Sequence, residues 1–182
     1  MVVREDFSTI IRKIRIFSGS ILFAYVIMHL LNHSINVFSI DLADAVRSSY
    51  FHPVWQNPVG LVLLYGSFVA HMILGFSSIL TRKSFKMKAK DWIQIVFPVL
   101  ALLFLLQHIA VSFIITKIYG GEETYSLFFA AMNTETPSDL IVGAILFSLM
   151  TIFIWVHGVI GLDSYLKPVS YTHLTLPTIA EV

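Results

Sequence analysis

The sequence predicts an all-α membrane protein, a bundle of four transmembrane helices. Three observations predict it. Of 182 residues 57% are apolar and only 13% charged, and the mean hydropathy is +0.80, outside the balance of a soluble domain. Four windows, residues 16–40, 59–81, 92–116 and 140–162, carry no charged side chain. Each is long enough to cross about 30 Å of hydrocarbon at about 1.5 Å per residue. Finally, the connections between windows alternate in charge, as the loops of a multi-pass protein do.

That alternation predicts orientation. Arg4, Arg12, Lys13 and Arg15 precede the first window against Glu5 and Asp6, and TRKSFKMKAKD carries Arg82, Lys83, Lys86, Lys88 and Lys90 against Asp91. The other two connections hold Asp41, Asp44, Glu122, Glu123, Glu135 and Asp139 against Arg47 and Lys117. By the positive-inside rule the N-terminus and the 81–91 loop are cytoplasmic, which places the chain in the cell inner membrane. The basic loop reads as a topology signal, and no nucleic-acid partner is expected. With no cysteine in the chain, disulfides, thiolate metal sites and cysteine-held iron–sulfur clusters are excluded within it.

In order along the chain, residues 1–15 form an amphipathic cytoplasmic lead-in with Phe7, Ile10, Ile11 and Ile14 at helical spacing. The first span follows, with Gly19 permitting close helix contact. SSYFHPVWQNPVG is an aromatic outer loop whose Pro58 fits the first turn of the second span. The second span carries Gly60, Gly66 and Gly75, the third is expected to kink at Pro98, and a short surface helix is expected at 125–132. The membrane domain covers 16–167. The Thr-rich, β-like segment 168–182 departs from this pattern and resembles translated sequencing-adapter DNA, so a non-native tail on a shortened protein is expected there.

Five of the seven histidines, His29, His33, His71, His108 and His157, lie inside the spans, at least one in each. Polar groups at membrane depth are costly and face the bundle or a cofactor. Counting at about 1.5 Å per residue from the basic anchors puts His29 at about 21 Å and His33 and His108 at about 27 Å. The same count puts His71 and His157 at about 15–16 Å. Two layers of two imidazoles from different helices suit two six-coordinate b-type haems, each ligand passing its Nδ1–H to a carbonyl or hydroxyl. Zinc would want three or four ligands at one level, a proton relay would want carboxylates at depth, and interhelical hydrogen bonding remains a purely structural alternative. His29 and His33 share a face, so spacing leaves open which of them ligates. Arg12, Arg15, Ser18 and Ser20 are candidates for an inner propionate or quinone pocket.

One histidine in each of four consecutive spans resembles the cytochrome b membrane anchors of two-haem succinate dehydrogenases and fumarate reductases. More closely, SGSILFAYVIMHLLNHSINVFSID, VWQNPVGLVLLYGSFVAHMILG, RKSFKMKAKDWIQ, LLFLLQHIAVSFI and IWVHGVIGL resemble the N-terminal membrane domain of certain bacterial class III adenylate/guanylate cyclases. The resemblance spans about residues 12–167. It implies His29, His71, His108 and His157 as ligands of two b haems, with His33 as a further shared histidine. It also implies exchange of electrons with quinone or quinol, and redox signalling to a cytoplasmic cyclase domain in cis. The alternative is the anchor subunit of a succinate:quinone oxidoreductase with its respiratory subunits; a haem-free structural domain is the third reading, and a homodimer in the lipid fits any of them. LDSYLK after Gly161 departs from the more aromatic, histidine-bearing version expected of the cyclase family. The chain contains no carboxylate pair or nucleotide loop for cyclase chemistry.

Overall fold

The computed structural model describes residues 7–114, 118, 124–126 and 136–174, with backbone alone for residue 8 and residues 167–174. Four long helices dominate: α1 (Phe7–Ile35), α4 (Pro58–Leu80), α5 (Ala89–Phe113) and α6 (Pro137–Leu174). Between the first two lie α2 (Ile40–Val46), a π-turn over Arg47–Phe51 and α3 (His52–Trp55). The long helices are long and apolar enough to cross a membrane, and there is no strand among the described residues. The protein is a multi-pass membrane protein. Val62, Leu103 and Ile141 lie mostly exposed, the arrangement lipid rewards and water does not. Hydroxyls on the spans are satisfied locally: Ser148, Thr151 and Ser164 donate to the carbonyls of Ala144, Phe147 and Ile160 on their own helix.

The expected lead-in and first span form one helix from Phe7, with residues 1–6 outside the described set. Nothing between Phe7 and Ser18 breaks a helix, and extending an existing helix costs far less than starting a second one. At the other end α1 stops at Ile35, five residues short of the apolar window. Asn36 turns its side chain back onto the His33 carbonyl, and Ser39 then caps α2 by accepting from the Leu42 N–H at 3.2 Å. The aromatic loop therefore contains helical structure that its composition did not announce. Asn57 caps α4, its Oδ1 accepting from Val59 and Gly60 at 3.0 Å each, and Pro58 occupies the first turn. Thr136 and Asp139 exchange hydrogen bonds at the start of α6 in a capping box. That helix runs through Pro168 to Leu174, so the backbone of 169–174 is helical and not β-like. Of the surface helix expected at 125–132, residues 127–132 lie outside the described residues.

The long helices associate as two hairpins. α1 lies along α4, α5 along α6, and the hairpins meet mainly where α1 approaches α6. No large side chain among the described residues is fully buried. The seam between the hairpins is where the histidines stand.

Candidate cofactor site

Consider the tier nearer the N-terminal end first. His71 projects from α4 toward α1, and Gly19 makes the approach possible: a Cβ there would stand 2.9 Å from His71 Cε1. His71 Nδ1 lies 3.2 Å from the Arg15 carbonyl and 3.3 Å from Ser18 Oγ, which itself donates to that carbonyl. A carbonyl only accepts, so the proton sits on Nδ1 and the Nε2 lone pair is left for another partner. Across the seam His157 of α6 faces His71 with ring centroids 6.1 Å apart and planes at 80°. His157 Nδ1 is buried without a hydrogen-bond partner. Such orphans are rare and ask for an explanation.

About 15 Å further along α1, ten residues on from Gly19, a second pair spans the same seam. His29 of α1 and His108 of α5 have ring centroids 6.0 Å apart and planes at 62°. Tyr25 stacks on His29 at 5.5 Å and meets Trp55 of α3 edge-on at 5.3 Å. His33 lies beside the pair, its Nε2 3.0 Å from His29 Nε2. Between the tiers Phe23 rests on Trp155 at 5.4 Å and occupies the space a Cβ on Gly158 would need.

All five histidines singled out in the sequence therefore gather at the seam: His29 with His108, His71 with His157, and His33 at the side. Of the inner-pocket candidates, Ser18 touches His71 while Ser20 bonds its own helix at Ile16. Arg15 contributes its carbonyl. His52 serves Arg47 at 2.8 Å, away from both tiers. The geometry suits a metal-centred group held by two imidazoles. Metal–nitrogen bonds of about 2 Å on each side of one ion put the ring centroids roughly 6 Å apart. No group of three or more metal-binding side chains occurs among the described residues.

Several contributors escaped the sequence reading. Asn32, buried between the two histidines of HLLNH, donates to Tyr125 Oη at 2.7 Å. Tyr125 in turn faces the His33 ring at 5.0 Å. That segment is tied to α2 by Asp44, whose carboxylate accepts from Tyr125 N–H at 2.8 Å and from Ser126 Oγ at 2.9 Å. Partial burial pushes the Asp44 carboxyl up, but the donors of Tyr125 and Ser126 with Arg47 outweigh it and hold it below its ordinary value of 3.8. A depressed carboxylate contributes stability above its unfolded value and loses it as pH falls through the folded one. Asp44→Asn is accordingly expected to lower stability at pH 7 by about 1–2 kcal/mol, allowing for partial exposure. Thermal unfolding followed as the pH is lowered from 7 checks this; the gap between variant and parent should narrow as the folded carboxylate takes up its proton.

No family model, curated protein or solved structure matches the chain. What fold and site define without them is a class: a four-helix membrane-spanning bundle with two tiers of facing imidazoles.

Proposed function

We propose that this chain is the membrane domain of a two-haem b-type cytochrome that exchanges electrons with quinone or quinol. The observation that carries the proposal is the pair of imidazole contacts at 6.0 and 6.1 Å, on separate tiers, across the seam between the hairpins. His71 and His157 hold the inner haem, His29 and His108 the outer. A b haem bound there supplies a one-electron couple. The residues do the remaining work. The Arg15 carbonyl and Ser18 fix the His71 tautomer and aim Nε2 into the seam. To ligate opposite His108, His29 would give up its 3.0 Å Nε2 contact with His33, leaving His33 as a polar neighbour of the outer tier. Apolar walls exclude water, which tunes a buried redox group through the local dielectric.

Two tiers about 15 Å apart along one helix make a path between the membrane faces, and quinones dissolve in the lipid around it. The charge bias of the loops supports an N-terminus on the cytoplasmic side of the inner membrane. The resemblance to cyclase membrane domains supports a role as redox-sensing anchor for a cytoplasmic adenylate/guanylate cyclase domain, with α6 leading toward it.

The deciding experiment is a redox-titrated absorption spectrum of the purified chain with haem counted per polypeptide. Two haems per chain and two one-electron steps are expected. Folded protein without a Soret band would leave the histidines as interhelical hydrogen-bonding groups.

A further inference from the structure

Pro98 lies inside α5, and proline has no N–H to donate to the carbonyl four residues back. That carbonyl belongs to Gln94. α5 and α6 run along each other, and Gln94 meets α6 one turn beyond His157, where a Cβ on Gly161 would stand 3.4 Å from Gln94 Nε2. The Gln94 main-chain carbonyl also faces the His157 ring. His157 Nδ1, the atom that would carry the proton, is buried without a made hydrogen bond. A donor lacking its acceptor thus confronts an acceptor lacking its helical donor.

We propose that Pro98 is a positioning residue for His157: it releases the Gln94 carbonyl from the helix so that this carbonyl accepts the His157 Nδ1–H and turns the other ring nitrogen toward His71. The partner ligand has the matching arrangement in the other hairpin, where the Arg15 carbonyl of α1 serves His71 of α4. Each inner imidazole then takes its acceptor from the main chain of the helix it packs on. Such partners fix tautomer and ring orientation and raise ligand basicity. The missing hydrogen of Pro98 is therefore part of the site. This inference rests on the two-haem reading, and its test separates the two.

The test uses the full chain in detergent with Pro98→Ala and Gln94→Ala. Alanine at 98 restores the N–H that recaptures the Gln94 carbonyl, and alanine suits a helix, so the variant folds. In a redox titration Pro98→Ala should move the inner couple to higher potential and leave the outer one in place. Gln94→Ala keeps the main-chain carbonyl and should move neither. An unshifted inner couple in Pro98→Ala overturns the proposal, as does an equal shift in Gln94→Ala, which would assign the bond to the side-chain amide. A second measurement needs no haem. Gln94–Ile95 is the one Gln–Ile step in the sequence, so carbonyl-13C glutamine with 15N isoleucine isolates the Gln94 carbonyl resonance. His157→Phe should shift that resonance in the parent chain and not in Pro98→Ala; equal responses in both backgrounds overturn the proposal. A chain that takes up no haem would sink the cytochrome reading while this comparison still decides the hydrogen bond.

Discussion

Replacing His71 or His157 by alanine is expected to lower the haem content from two per chain to one and to remove a single step from the redox titration. The two side chains face each other at 6.1 Å across the hairpins, so losing either leaves the inner iron with one imidazole and a cavity in its place. The outer pair lies about 15 Å away along α1 and shares no ligand with the inner one. His29→Ala or His108→Ala should give the complementary result, with the inner couple kept and the outer one lost. His33→Ala should retain both, because its ring stands beside His29 and not across the seam. A pyridine haemochrome assay per mole of protein, read beside the spectrum, checks the stoichiometry. Loss of both haems from every single replacement would contradict independent tiers, and retention of two haems in His29→Ala would transfer the ligand role to His33.

The sequence revealed most about the features that depend on runs and least about those that depend on rotation. Four uncharged windows are spans because lipid leaves helices no choice, and α4 and α5 fall close to the windows drawn for them. Depth was legible for the inner tier, where His71 and His157, placed at one level by counting from the basic anchors, do stand together; in the outer tier the same ruler set His108 level with His33, about 6 Å beyond the His29 whose ring it faces. Azimuth was not. His29 and His33 are one turn apart on one face, and only the approach of α5 shows that the His29 ring faces His108 at 6.0 Å. The connection at 41–58 showed neither a period nor a composition typical of helices. Its α2 depends on the Ser39 cap and on Asp44 reaching a segment some eighty residues later, a contact no local pattern announces. Pro98 was visible as a helix irregularity, but what its missing N–H releases depends on which helix lies opposite.

Glycine carries the same lesson into the second large effect. Gly19, Gly66 and Gly75 look alike in the sequence, each a small residue in an apolar helix. In the structure a Cβ on Gly66 or Gly75 meets nothing within 4 Å, whereas one on Gly19 would stand 2.9 Å from His71 Cε1 and 3.2 Å from Nδ1. Gly19→Val must therefore push α1 from α4 or push the imidazole off the Arg15 carbonyl and Ser18. Overpacking of this kind costs about 1–3 kcal/mol. Disturbing an orienting partner of a metal ligand lowers affinity by roughly 10–100-fold. The expected outcome is a folded but less stable protein that loses inner haem first as haem is titrated in, with outer binding unchanged. Gly66→Ala and Gly75→Ala should be neutral or slightly stabilising, since alanine favours a helix over glycine by about 1 kcal/mol. Haem titration of the three variants side by side decides the matter. Equal behaviour of Gly19→Val and the other two would mean that His71 is free to move, and that the fixed tautomer assigned to it does not govern binding.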